Sequence, residues 1–126
     1  MGRGAEVPLV SDYYDHAERI GYDLAAALGH NGLSDKCETI QSVALTIEGE
    51  NDGASWHWIV SLTNGKWAYV TGGCDYTGWD CQSGCDWVGD ALTRRDVLTL
   101  VGDDERRVFA DMIAKRETSR PNTGGL

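Results

Sequence analysis

The sequence predicts an α+β fold, in which a three-stranded antiparallel sheet (a meander) packs with an N-terminal helix and two C-terminal helices. Three observations lead to this prediction. The apolar pattern before residue 40 is helical, residues 42–71 contain three β-prone runs separated by turns, and the pattern after residue 92 is helical again. Helices that flank an antiparallel run, without alternation of strand and helix, are typical of the α+β class.

The first predicted element is a helix that begins at Ser11-Asp12 and ends near Gly29 or Gly32. Ser11 and Asp12 are good N-cap residues, and a glycine commonly follows the last helical turn. The apolar residues recur at steps of three or four, which is the spacing of one helix face. These residues are Tyr13, Ala17, Ile20, Leu24 and Leu28. Residues 1–10 have no such period and are expected to be a flexible lead-in.

The three predicted strands are residues 42–48, 56–62 and 67–71. The acidic stretch 49–54 is expected to be the turn between the first two. Asn64-Gly65 predicts a two-residue type I′ hairpin turn between the second and third. In that register Trp67 and Tyr69 would share one sheet face with the side chains that alternate along the preceding strand. Those side chains are Trp56, Trp58, Val60 and Leu62, and this tryptophan face is predicted to be the core.

Two helical segments are predicted after the sheet. Thr93, with Asp96 three positions later, is a capping pattern for a helix that stops at Gly102. The acidic residues from Asp103 onward suit the first turn of a last helix, which ends at Lys115-Arg116. Its predicted buried residues are Val108, Phe109, Met112 and Ile113. Residues 11–117 are therefore predicted to be a single domain, followed by a flexible tail at 118–126.

The charge of the chain is −9 at pH 7, and it is unevenly distributed. Residues 1–93 carry 14 acidic and 4 basic residues, whereas residues 94–126 carry 6 acidic and 7 basic residues. An acidic body disfavours direct nucleic-acid binding and suits a basic protein partner. The chain has no apolar stretch of membrane-spanning length and no apolar segment like that of a signal peptide near its start. A cytoplasmic location without membrane binding is therefore expected, with the oligomeric state left open.

The most unusual stretch of the chain is GGCDYTGWDCQSGCDW, residues 72–87, which is predicted to be a long aromatic loop. Large amphipathic side chains on such a loop are typical of protein interfaces. The predicted protein-binding residues are Asp75, Tyr76, Trp79, Asp80 and Trp87. The alternative is a loop that folds back, so that its tryptophans pack on the sheet and its aspartates accept hydrogen bonds from the loop's own backbone.

Three of the four cysteines lie in this stretch, which raises the possibility of a zinc site. The candidate ligands are Cys74, Cys81 and Cys85, with His57 or Cys37 as the fourth. Only the spacing of Cys81 and Cys85 fits a zinc knuckle, so free cysteines and no cofactor are favoured over zinc.

A cysteine-dependent enzyme is a further alternative, with Cys74 as nucleophile and His57 as base. An aspartate lies next to each of the three loop cysteines, and a negative neighbour raises the pKa of a thiol. The sequence around Cys74 also lacks the local signature of a nucleophile elbow. A protein without catalytic activity is therefore the favoured prediction.

The segment GGCDYTGWDCQS (residues 72–83), preceded by the aromatic strand KWAYV, resembles a motif of small acidic proteins of unassigned function encoded by actinobacteria and their phages. The resemblance covers residues 56–90. It implies an intracellular setting, with a place on a mobile element as one option, and it implies no mechanism. Together with the charge, it predicts an acidic intracellular protein-binding module that modulates a host factor. The alternatives are a zinc-stabilised structural module and a cysteine-dependent enzyme.

Overall fold

Residues 16–119 are described by a computed structural model, in which a four-stranded antiparallel sheet has helices on both faces. The strands β1 (Ile40–Ile47), β2 (Trp56–Leu62), β3 (Trp67–Cys74) and β4 (Ser83–Ala91) lie side by side in chain order. The helices are α1 (Tyr22–Gly29), α2 (Arg94–Val97) and α3 (Asp103–Ser119), with 3-10 turns at Ser34–Thr39 and Leu98–Leu100. The α+β class with an antiparallel sheet is confirmed, but the predicted count of three strands is wrong.

The missed strand is β4, which pairs with β3 from Trp67↔Ala91 to Cys74↔Ser83. Its sequence, SGCDWVGDA, is rich in glycine and aspartate, which are depleted in strands. The strand exists because β3 extends to Cys74 and supplies a partner for it, which a local pattern does not reveal. The predicted long loop is therefore reduced to residues 75–82, and β4 is an edge strand of the sheet that residues 16–119 form.

The hairpin between β2 and β3 is in the predicted place but has a different register. Ser61 pairs with Trp67 and Ile59 with Tyr69, so the loop differs from the predicted two-residue turn. Gly65 has φ of 88°, whereas Asn64 has no positive φ, so the turn is not type I′. A shift of one residue moves side chains to the other face of a strand. Trp67 and Tyr69 therefore lie opposite the predicted tryptophan face.

The sheet consequently separates two cores. The first, here called the Trp core, lies between α1 and the sheet; its buried members include Leu24, Leu28, Cys37, Ile40, Trp56, Trp58, Val60, Leu62, Val70 and Trp79. The second, here called the Phe109 core, lies between the sheet and the C-terminal helices and is formed by Leu45, Ile59, Tyr69, Val97, Val101 and Phe109. Each core covers one face of β2, and the sequence of β2 is almost continuously apolar because both of its faces are buried.

The N-terminal helical segment is interrupted where the sequence predicted one continuous helix. Residues 16–20 are helical, Gly21 has φ of 95°, and α1 begins at Tyr22. A positive φ is incompatible with a regular right-handed helix, and glycine adopts it without a steric cost. The predicted cap at Ser11-Asp12, Tyr13 and the lead-in at residues 1–10 lie outside the described residues.

The C-terminal helices follow the sequence more closely. The Thr93 hydroxyl accepts a hydrogen bond from the Asp96 amide at 3.0 Å, which confirms the predicted cap. Phe109 is buried as predicted, but Val108 is 44% exposed, so its predicted burial is wrong. Helix α3 runs to Ser119, beyond the predicted domain end at residue 117, and residues 120–126 lie outside the described part of the chain.

Candidate functional site

The β3–β4 loop, residues 75–82, is held by its own hydrogen bonds. The Asp75 carboxylate accepts hydrogen bonds from the amide and the hydroxyl of Thr77, and the Asp75 amide donates to the Gln82 carbonyl at 3.0 Å. The Thr77 hydrogen bonds lower the pKa of Asp75, because they favour its ionised form. Gly78 has φ of 101° and completes the tight turn. The loop is therefore an ordered turn that displays a charged carboxylate.

Trp79 anchors this loop to the Trp core. Its side chain is 4% exposed, and its ring centroid lies 5.1 Å from that of Trp56 and 6.4 Å from that of Trp58. The indole N–H donates to the Asp23 carboxylate at 3.0 Å, which ties the loop to α1. Trp79 therefore has the alternative role considered for the loop, an internal anchor, and its assignment to a protein-contact surface is corrected.

The other four predicted contact residues do reach the surface. Tyr76 is 78% exposed, and the Asp80 side chain is also exposed. Trp87 is half-buried: its indole N–H donates to the Asp90 carboxylate at 2.7 Å, and Lys36 Nζ lies 5.0 Å from the ring centroid. This cation–π contact and hydrogen bond hold Trp87 against its own sheet face. Among the predicted contact residues, Tyr76 and Asp80 are therefore the most accessible to a partner, and Asp75 is partly exposed.

The predicted zinc ligands are not gathered into one place. Cys74 packs against the Trp core, whereas His57 contacts Tyr69 on the opposite face of the sheet. Cys85 is half-buried and Cys81 is exposed. Within residues 16–119, no three His, Cys, Asp or Glu side chains form a group that could hold a metal ion. The same separation of His57 from Cys74 means that the proposed nucleophile and base do not meet.

The thiols of the Trp core are in environments that oppose ionisation. Burial raises the pKa of Cys37 to about 11, against a smaller opposing effect of Arg19. Burial also raises the pKa of Cys85 to about 12, with Asp86 and Cys37 adding to the increase. The pKa of Cys74 is raised by burial and by Asp23 and Asp75, and its thiol donates to Asn51 Oδ1 at 3.3 Å. These three thiols are poor nucleophiles near neutral pH.

A polar cluster that the sequence did not predict lies at the edge of the Phe109 core. His57 Nδ1 is 2.7 Å from the Tyr69 hydroxyl, the two rings are stacked, and His57 Nε2 is 4.0 Å from Glu105 Oε2 on α3. Burial lowers the pKa of His57, and Glu105 opposes that effect. Burial and Glu105 both raise the pKa of Tyr69. The cluster pairs polar side chains with one another between the sheet and α3. The sequence did not predict it, because the predicted hairpin register placed Tyr69 on the face opposite His57.

Two open grooves flank the start of β4. One, of about 500 Å³, is lined by Asp52, Gly53, Gly73, Cys74, Asp75, Gln82, Ser83 and Gly84. The other, of about 270 Å³, is lined by Ser55, Thr71, Gly72, Gly73, Gly84, Cys85 and Asp86. Both include the cross-strand pair Gly73↔Gly84, where neither strand carries a side chain. Sequence reasoning missed these grooves because it did not predict β4.

The fold and this surface define the chain as an α+β protein with a four-stranded antiparallel meander covered on both faces and an acidic edge strand. No protein-family profile, curated protein or solved structure matches the chain. None of the helices within residues 16–119 combines the length and the apolar character that crossing a bilayer requires.

Proposed function

We propose that this protein is a non-catalytic protein-binding module that contacts a basic partner protein through one acidic edge of its sheet. The acidic edge consists of the accessible side chains of the β3–β4 loop and β4, namely Asp75, Asp80, Asp86 and Asp90 with Tyr76 and Val88. The proposal includes a cytoplasmic setting. Because residues 72–83 resemble a segment of phage and actinobacterial proteins, the proposed partner is a host factor.

The observation that carries the proposal is the unbalanced charge of this edge. Residues 75–91 contain four aspartates and no lysine or arginine, and Lys36, over the Trp87 ring, is a basic side chain placed beside them. The acids of α3 differ, because Asp103 and Asp104 each form an ion pair with an arginine one helical turn later. Asp80 and Asp86 have no ion pair or side-chain hydrogen bond within residues 16–119. Unpaired charges of one sign attract a partner of the opposite sign and accelerate its association.

Exposed apolar side chains collect around the same edge. Among the described residues, six large apolar side chains are markedly exposed: Tyr22, Tyr76, Val88, Leu92, Leu100 and Val108. Four of them lie on or next to the acidic edge. Leu100 belongs to this group because its side chain lies against Gly89 of β4. If Gly89 carried a Cβ atom, that atom would lie 3.2 Å from the Leu100 side chain. An apolar centre with a charged surround is the common composition of a protein interface.

The test is affinity capture of bacterial proteins by the wild-type chain and by two variants with equal charge changes. The edge variant is Asp80→Asn with Asp86→Asn, and the control is Glu48→Gln with Glu117→Gln, whose side chains are accessible and lie outside the edge. We expect a basic protein that is retained by wild type and control, is lost from the edge variant and is released by salt well above about 0.15 M. Equal retention by the edge and control variants contradicts the proposal. Tyr76→Ala tests the apolar contribution in the same assay.

A further inference from the structure

We infer that the outer edge of β4 accepts an extended, lysine- or arginine-bearing segment of the partner as an added strand, along Ser83–Trp87. This inference rests on the proposed function and specifies how the partner is held. Within residues 16–119, β4 is paired on one side only, with β3. The backbone groups on the free side of an edge strand are available to pair with another chain, a mode known as β-augmentation.

The free edge is regular over a limited length. The pairing of β4 with β3 shifts by one residue between Tyr69↔Gly89 and Val70↔Trp87, so Val88 is an extra residue in β4. Such a β-bulge bends the strand and disrupts regular pairing. The regular edge available to an added strand therefore runs from Ser83 to Trp87, directly after the loop that displays Tyr76 and Asp80.

A groove beside this segment provides room for a long side chain. Gly84 faces Gly73 across the two strands, and a Cβ added at Gly84 would have no atom within 4 Å. Asp86 projects on the same face as Gly84, because side chains two residues apart share a face. A lysine or arginine on an added strand can lie across the two glycines, within the groove of about 270 Å³, and place its charge beside the Asp86 carboxylate.

Charge decides between a basic partner and a second copy of this chain. A second β4 would bring its own Asp86 and Asp90 to the junction, against one lysine, Lys36, that lies over its Trp87 ring. Like charges that face one another across a strand pair are destabilising, whereas opposite charges are stabilising. The edge therefore selects a basic strand from another protein and resists self-pairing.

The test uses a short peptide of alternating lysine and valine as the probe. Its matched control is the same peptide with every backbone nitrogen methylated, which keeps the charges and side chains but removes the donors that strand pairing needs. Binding is followed by the amide resonances of the isotope-labelled protein and by their hydrogen exchange. We expect the unmethylated peptide alone to shift the amides of Ser83–Trp87 and to protect every second one, namely those that point away from β3.

Two variants test the groove against a control on the opposite edge. Asp86→Asn is expected to weaken peptide binding about two- to fivefold, the range for loss of one exposed ion pair. Gly84→Val, which places a side chain in the groove without a clash at its Cβ in the folded protein, is expected to abolish binding. Gln41→Val adds the same side chain at an exposed position of β1, the other edge strand, and is expected to leave binding unchanged. Circular dichroism confirms that each variant is folded.

Three results would overturn the inference. Equal binding of the methylated peptide would mean attraction by charge alone, which keeps the acidic edge as a contact surface but removes strand addition. Binding of neither peptide would also reject strand addition, while capture of a natural basic partner would still decide the proposed function. Self-association of the protein that Gly84→Val abolishes would assign the edge to a second copy.

Discussion

Replacing Trp79 by alanine is the sharpest test of how the β3–β4 loop is built. The structure gives the Trp79 side chain three attachments: packing against Trp56, packing against Trp58 and a hydrogen bond to the Asp23 carboxylate. If the loop is an ordered part of the Trp core, the substitution removes all three and leaves a cavity under the loop. If the loop were only a recognition element, the substitution would cost little.

The expected cost follows from these contacts. Truncating a core tryptophan to alanine costs about 3–5 kcal/mol of unfolding free energy. The two ring contacts, at about 0.5–1.5 kcal/mol each, and the hydrogen bond, at about 1.5–3 kcal/mol, overlap with that figure rather than add to it. A loss of about 4 kcal/mol is a large part of the roughly 5–15 kcal/mol that typically stabilises a domain. At a urea dependence of about 2 kcal/mol/M, the unfolding midpoint falls by about 2 M.

Urea titration followed by far-ultraviolet circular dichroism measures this loss, since fluorescence would itself change when a tryptophan is removed. Tyr76→Ala is the matched control: its side chain lies on the same loop but is 78% exposed, so its cost is expected to stay within about 0.5 kcal/mol. Trp79→Phe keeps an aromatic ring and loses the N–H donor, so its cost should fall between the two. If Trp79→Ala were as stable as Tyr76→Ala, the anchoring role of Trp79 would be refuted.

Three further predictions concern the thiols, His57 and the hairpin. In the native protein a maleimide should label exposed Cys81 fastest and Cys37 and Cys85 slowest. The reason is that burial raises the pKa of Cys37 to about 11 and that of Cys85 to about 12. A fast-reacting Cys37 would contradict this prediction. Because burial holds the folded pKa of His57 below 6.5, protonation favours the unfolded chain. The unfolding free energy should therefore fall as the pH drops from about 7 to 5, and His57→Gln should reduce that slope; an unchanged slope would contradict the burial of a neutral His57. Gly65→Ala should cost about 1–2 kcal/mol in urea titration, because Gly65 has φ of 88°, and an unaffected variant would show that the turn does not need this conformation.

The sequence predicted the elements whose signals are local. The Thr93 cap, the start of α3 at Asp103 and the position of the hairpin each depend on a few neighbouring residues, and the structure contains all three. The register of the hairpin was wrong because Asn64-Gly65 fits two kinds of turn, and only the packing of Tyr69 into the Phe109 core distinguishes them.

The edge strand β4 and the site around it could not be predicted in the same way. The residues of β4 have little intrinsic preference for a strand, and their pairing depends on β3 extending to Cys74. Tyr76 and Asp80 lie at the surface, and their predicted role in binding stays a prediction. A tryptophan such as Trp79 can either anchor a loop or bind a partner, and the residue type alone does not distinguish the two. Its burial is decided by Trp56, Trp58 and Asp23, which are distant in sequence.

The division of the molecule into two cores also gives its folding a direction during synthesis. Every member of the Trp core lies at or before Trp87, whereas the Phe109 core needs Val97, Val101 and Phe109. Chains are made from the N-terminus, and earlier parts can fold first. While the last helices are still inside the ribosome, α1 can already close one face of the sheet, and the other face presents Ile59 and Tyr69 to water. At that point the residues of the Trp core have all been made, and the C-terminal helices are the last elements needed to cover the second face of the sheet.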